Sequence, residues 1–130
     1  MTDEKKTFEH DPFVAAFPET RAFWEAAADG RLMLPVCEDC GRAHWYPRAL
    51  CPFCFGDTEW ETASGDGVIY SFSPMRRANY TIAYVTLKEG PTMMTNIVDA
   101  DPDKLACGQA VKLKWTVTED GTPVPTFAPA

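Results

Sequence analysis

The spacing of apolar residues along the chain changes character twice. Between 19 and 29 it follows a helical repeat, with Phe23 and Ala27, and Trp24 and Ala28, forming i,i+4 pairs on one apolar face. Pro18 suits the start of such a helix and Gly30 its C-terminal cap. Leu32, Leu34 and Val36 then alternate with Arg31, Met33 and Pro35, which predicts a strand running straight into Cys37. Beyond the turn signal Ser64-Gly65-Asp66-Gly67 the period is two to the end of the chain. Strands are expected there at 68–73, 80–87, 92–98, 110–118 and 124–127. The fourth is the clearest, with Val111, Leu113, Trp115 and Val117 on one face and Lys112, Lys114, Thr116 and Thr118 on the other. Turns at 89–91 and 120–121 separate neighbours, and Asp101-Pro102 opens an expected capped helical turn over 101–105. Five strands with a helical insert between the third and fourth predict a small Greek-key barrel of the oligonucleotide/oligosaccharide-binding (OB) type.

Residues 1–18 fit neither repeat. They mix charge with Phe8, Phe13, Val14 and Phe17 and contain Pro12 and Pro18, so an extended arm is expected, its aromatics covering either their own domain or a partner subunit. At 130 residues the chain is too short for a TIM barrel or a full dinucleotide-binding enzyme, and its 45% apolar content is that of a globular protein. The net charge of -7 argues against a dominant nucleic-acid footprint. The excess is uneven, with 6 basic and 12 acidic side chains in 1–62 against 6 and 7 in 63–130, so an anionic ligand should prefer the second half. The opening Met-Thr-Asp-Glu-Lys-Lys has no apolar run after it, and no stretch approaches the roughly 20 residues that span a bilayer, so a cytoplasmic protein is expected.

In that compartment five cysteines point away from a disulfide framework. Cys37-Glu-Asp-Cys40 and Cys51-Pro-Phe-Cys54 are two C-x-x-C units ten residues apart. Thiolates at i and i+3 of a tight turn face one ion, and two such turns complete the S4 shell that zinc accepts. A redox pair fits less well, because such a pair sits at a helix start in a βαβ unit. Four protein ligands leave no open position for water, which makes the expected zinc structural. Cys107, among apolar neighbours and far from any His, is expected as a small buried residue. His10 and His44 form no evident nucleophile pair, and there is no G-x-S-x-G elbow, P-loop or G-x-G-x-x-G, so no catalytic residue is assigned. Trp45, Tyr46 and Trp60 read as ribbon core ahead of an adenine platform, and Asp99, Asp101 and Asp103 as capping and solubilising groups.

Taken in order, Phe23-Trp24-Glu25-Ala26, Gly30-Arg31-Leu32-Met33-Leu34, Cys37-x-x-Cys40-Gly41, Tyr46-Pro47-Arg48, Cys51-Pro52-x-Cys54, Ser64-Gly65-x-Gly67, Val68-Ile69-Tyr70-Ser71-Phe72 and Thr95-Asn96-Ile97-Val98 resemble the DUF35 family over about 17–130. The resemblance implies a mainly β chain: an N-terminal arm and helix at 1–36, a rubredoxin-like zinc ribbon at 37–62 and a five-stranded OB-fold barrel at 63–130. It also implies a non-catalytic accessory subunit of a heteromeric acyl-CoA enzyme. The partner would be a thiolase-fold protein (thiolase, retro-aldolase or acyltransferase) or, alternatively, a hot-dog-fold enoyl-CoA hydratase. A single-stranded nucleic-acid-binding OB protein is the reading from another class, which the acidic charge opposes.

Two positions depart from the family pattern. Phe55 stands directly after the fourth cysteine, where members commonly have Gly, and the segment 73–80 is short beside the loop often found there. Coenzyme A carries a phosphorylated ADP, so the resemblance needs cations. Arg76-Arg77 is the adjacent basic pair of the second half, and Arg42 and Arg48 flank the expected metal hairpin. These four are the candidate CoA contacts.

Overall fold

The computed structural model describes residues 7, 8 and 10–130. Two compact units contain them, the first within 1–63 together with 117–124, the second 64–116 together with 125–130.

In the first unit, Asp11 sets the course of the chain. Its carboxylate accepts hydrogen bonds from the N–H groups of Phe13 and Val14 at 2.9 and 3.3 Å. With Pro12 at the first helical position this starts α1 (Pro12–Ala16). The extended arm expected at 1–18 is therefore helical over this stretch: the cap satisfies donors that an extended segment would leave to water. Phe8 and Val14 are buried and Phe13 and Phe17 exposed, while the expectation for 1–6 and 9 lies outside the described residues. A 3-10 turn (Pro18–Thr20) follows, with Thr20 buried and its hydroxyl donating to the Phe17 carbonyl at 2.7 Å. It leads into α2 (Arg21–Ala28), which buries Phe23, Ala26 and Ala27; of the expected apolar face Phe23 and Ala27 are buried and Trp24 and Ala28 half-buried. Phe23 meets Trp24 and Trp45 edge-on at 5.0 and 5.1 Å between ring centres.

Strand β1 (Met33–Cys37) pairs antiparallel with β2 (Thr58–Thr62), Pro35 opposite Trp60 and Cys37 opposite Thr58. The sequence pattern does not signal β2: Thr-Glu-Trp-Glu-Thr holds one apolar residue and buries none, so its conformation comes from its pairing with β1.

Strands β3 (Asp66–Met75), β4 (Tyr80–Leu87), β5 (Thr92–Ile97), β6 (Ala110–Val117) and β7 (Pro123–Pro129) form a closed barrel in the order β3-β4-β5-β7-β6, all of it in the second unit except Val117, Pro123 and Val124. This is the OB arrangement. Residues 66–68 of β3 pair with 110–112 of β6 to close it, and a bulge between Ile69 and Ser71 bends β3 to reach both neighbours. Ile69, Ala83, Val85, Leu87, Met93, Ile97, Val111 and Phe127 fill the interior, and the insert between β5 and β6 is a 3-10 turn (Pro102–Lys104) capped by Asp101. Along β6 the expected alternation holds, yet burial fades from Val111, which is buried, to Val117, which is exposed.

Proline placement shapes one seam of the barrel. The backbone of even-numbered β7-side residues serves β6, with Ala130 N–H donating to Ala110 and Thr118 N–H to Thr122. Odd-numbered residues face the other way, and Phe127 accepts from Val98 N–H at 2.8 Å. Pro123, Pro125 and Pro129 occupy that odd set and have no N–H to give. The parallel β5–β7 ladder accordingly reduces to the single pair Ile97–Phe127, with Thr95 Oγ donating to Pro125 O at 2.8 Å beside it.

Among the described residues no helix is long and apolar enough to cross a membrane.

At Gly67, β3 passes so close to β4 that an added Cβ would lie 2.7 Å from Val85 Cγ1 and 2.9 Å from the Thr86 carbonyl oxygen. Gly67→Ala is expected to lower stability by about 1–3 kcal/mol, the cost of overpacking a tight interior. Thermal or urea unfolding would show this as a lower midpoint, and an unchanged midpoint would contradict the packing described.

Candidate metal centre

Both C-x-x-C turns are built on the same backbone plan. In the first, Cys37 N–H donates to the Arg42 carbonyl at 2.9 Å and Gly41 N–H to the Cys37 carbonyl at 3.1 Å. In the second, Cys51 N–H donates to the Gly56 carbonyl at 2.9 Å and Phe55 N–H to the Cys51 carbonyl at 2.8 Å. Each turn thus presents its first cysteine inward and its second outward: Cys37 and Cys51 are buried, Cys40 and Cys54 exposed. Backbone donors also point at sulfur, from Asp39 and Cys40 to Cys37 Sγ at 3.3 Å each and from Phe53 to Cys51 Sγ at 3.4 Å.

The four sulfurs lie within 4.8 Å of one another, with Cys37 to Cys54 at 3.4 Å and Cys40 to Cys51 at 3.7 Å. These separations exceed the roughly 2.05 Å of a disulfide. They match the edges of a tetrahedron around an ion with metal–sulfur bonds of about 2.3 Å, which are about 3.8 Å long. The Cys40 N–H, opposed by burial and helped by the Asp39 N–H and the neighbouring thiols, lowers the pKa of Cys37 to about 7. At Cys54 the Gly56 N–H pulls downward, but Cys37, burial, Cys40 and Cys51 together push the thiol up to about 12. Cys40 is likewise raised: the Arg42 N–H lowers it, and burial with Cys37 and Cys51 outweighs that. One thiolate thus forms easily and its neighbours then resist ionising, a conflict that a divalent cation at the centre removes. The four cysteines are positioned to bind a metal.

The family departure at Phe55 leaves the second turn intact. Phe55 takes φ of +63°, the left-handed conformation that Gly41 takes at +74° in the first turn. For a residue with a side chain this conformation costs about 1–2 kcal/mol. The glycine one position on has a separate purpose: a Cβ at Gly56 would lie 3.1 Å from Cys37 Sγ. His44 is buried behind the first turn, its Nε2 accepting from Arg48 N–H at 3.2 Å, and burial, reinforced by Arg48, pushes its pKa down. It is a neutral packing group, which nothing in the sequence announces.

Of the four candidate arginines, Arg42 and Arg48 lie in the first unit and Arg76 and Arg77 in the second. Arg42 stacks over Phe53, 4.8 Å from the ring centre. Arg76 and Arg77 occupy the β3–β4 turn, and Arg76 is held by Asp103 at 2.7 Å, an exposed pair of little energetic weight. A cavity of about 420 Å³ adjoins that turn, lined by Met75, Arg76, Tyr80, Asn96 and Asp99 among others. The sequence gives no hint of the Asp103 partner, 27 residues away. Cys107 corrects its expectation, being exposed, because it lies in the turn at 107–108 ahead of β6.

The chain matches two family descriptions in succession: the ChsH2 rubredoxin-like zinc ribbon domain over 24–61 and the ChsH2 C-terminal OB-fold domain over 60–116. A DUF35 domain-containing scaffold protein of Methanocaldococcus jannaschii is 32% identical over 96 residues, covering 65% of this chain and 68% of that protein. The scaffold protein of the same description from Methanothermobacter thermautotrophicus is 34% identical, covering 65% and 72%. A Thermomonospora curvata protein named "Probable enoyl-CoA hydratase alpha subunit" is 35% identical over 125 residues, which are 88% of this chain and 39% of that protein. The present chain therefore spans well under half the length of that relative. Among solved structures, one titled "Ltp2-ChsH2(DUF35) aldolase" superposes with a TM-score of 0.75 at 31% identity, covering 85% of this chain and 94% of that one. A DUF35 protein of unknown function from Sulfolobus solfataricus shares the fold at a TM-score of 0.67 and 14% identity, covering 95% and 92%. The ribbon and barrel models together match 24–116, two DUF35 scaffold proteins are 32% and 34% identical, and the chain belongs to the DUF35 family.

Proposed function

We propose that this chain is a non-catalytic, zinc-binding accessory subunit of a heteromeric acyl-CoA enzyme, acting in the cytoplasm with a thiolase-fold partner. The observation that carries this reading is the likeness, over 85% of this chain and 94% of the other, to a chain of a structure titled "Ltp2-ChsH2(DUF35) aldolase". In the proposed division of labour the partner holds the catalytic residues. This chain, organised as arm and helix at 1–36, ribbon at 37–62 and barrel at 63–130, completes the acyl-CoA entrance and stabilises the partner. The second reading, a hot-dog-fold enoyl-CoA hydratase as partner, is favoured by the Thermomonospora curvata relative. Co-expression with the neighbouring genes and pull-down on this chain is expected to recover one of these enzymes, with activity only in the complex. Recovery of neither a thiolase-fold nor a hot-dog-fold protein would contradict the proposal.

Within this reading Cys37, Cys40, Cys51 and Cys54 hold one zinc ion. With four thiolate ligands and no position left for water, its chemistry is structural. Because thiolates must shed protons to bind, affinity falls as pH falls. Purified chain is expected to carry close to one zinc, to lose it on acidification, and to melt lower after chelation. Cys51→Ser should reproduce the loss at neutral pH. Absence of zinc together with a disulfide would contradict the assignment.

Arg76 and Arg77, or Arg42 and Arg48, would contact the phosphates of CoA. Replacing Arg76 and Arg77 together by Ala is expected to weaken CoA binding to the complex about tenfold, the scale of one lost charge-assisted hydrogen bond. Unchanged affinity in a CoA titration would remove that pair from the site.

A further inference from the structure

The two metal turns have the same backbone hydrogen bonds, yet the first uses glycine at its left-handed position and the second uses phenylalanine. A strained residue persists where something other than the turn itself holds it there. Packing within the chain gives Phe55 no such return, since it is the most exposed large apolar side chain among the described residues, at 77%. Two more apolar side chains stand open on the same short loop, Phe53 at 55% and Leu50 at 49%. Beside them the Arg42 guanidinium lies over the Phe53 ring, and among the described residues no carboxylate pairs with it. The loop is short and pinned, by Leu50 bridging to Asp57 and by Cys51 at its root. A rigid aromatic costs little entropy to bury, which is the profile of an interface anchor.

We infer that Phe55 is the anchor by which the second metal turn docks on the partner enzyme subunit, entering an apolar socket on that subunit bordered by a carboxylate that meets Arg42. The inference rests on the accessory-subunit reading above and adds the place and chemistry of the contact. Charge selects the occupant: an apolar cluster beside an arginine that pairs with no carboxylate among the described residues complements an acidic-rimmed socket. Burying two phenylalanines and a leucine supplies the centre of an interface and not its whole area, since about 800 Å² per partner is usual. The enzyme must therefore contact other parts of this chain as well.

The test uses the zinc-loaded chain and the enzyme subunit recovered with it on co-expression, with binding measured by interferometry. Phe55→Ala is expected to raise Kd at least about tenfold, as removal of a central aromatic anchor does. Phe55→Gly should weaken binding equally while leaving zinc content and melting temperature at or above those of the wild type, because glycine relieves the left-handed conformation. Arg42→Glu should also raise Kd. A Phe55→Gly chain that loses zinc or melts lower would show that the ring serves the turn, overturning the inference. Unchanged Kd in both Phe55 variants would overturn it too, leaving the subunit reading standing. Sedimentation of the chain alone adds the last arm: a homodimer dissociated by Phe55→Ala would make a second copy the occupant and overturn the assignment to the enzyme. If the wild type recovers no enzyme, the subunit reading and this inference fall together.

Discussion

Four thiol sulfurs brought within 4.8 Å of one another are the constraint around which the first unit is organised. Uncompensated, they form one thiolate readily and resist forming the next, as the lowered Cys37 and raised Cys40 and Cys54 show. A divalent cation turns that repulsion into binding energy, and because the assembled site exists only in the folded chain, binding energy becomes folding energy. The unit needs this. Beyond the α2 face and its aromatic neighbours it has a two-stranded sheet, and β2 buries none of its residues. Cys37 closes β1 and the Leu50–Asp57 bridge leads from the second turn towards β2, so both strands are tied to the metal turns. Zinc as the resident ion would add rigidity without a reactive coordination position.

The barrel depends on a different physics. Its interior is apolar, mostly aliphatic with Phe127 among it, and of the buried threonines Thr81, Thr95 and Thr126 the last two have hydrogen-bonded hydroxyls. Gly67 allows β3 to approach β4, and the prolines of β7 thin the β5–β7 seam to one ladder pair. The two units thus rest on different interactions, a cluster of four thiols in one and a closed apolar interior in the other.

Much of this was legible in the sequence wherever one residue type does one physical job. The helix face of Phe23 and Ala27, the cap at Asp101, the strand at 80–87 and the four cysteines each follow from local spacing, and each appears in the structure. Elements whose cause lies elsewhere in the chain were not legible. β2 is a strand because β1 lies beside it, and Asp103 finds Arg76 only after the barrel closes. Cys107 has apolar neighbours in sequence but lies in a turn that leaves it in solvent. Helix α1 depends on the side chain of Asp11, a cap masked by the prolines and mixed charge around it. The Phe55 substitution was visible as a departure from a pattern. That the turn survives it, with the ring pointing into solvent, required the backbone geometry.

The central claim is that the two turns form one closed, all-sulfur metal site that holds the ribbon together. X-ray absorption at the zinc edge of the purified, intact chain tests it most directly. The account predicts four sulfur neighbours at about 2.3 Å and no nitrogen or oxygen in the coordination shell. A shell containing nitrogen or oxygen, or fewer than four sulfurs, would contradict it.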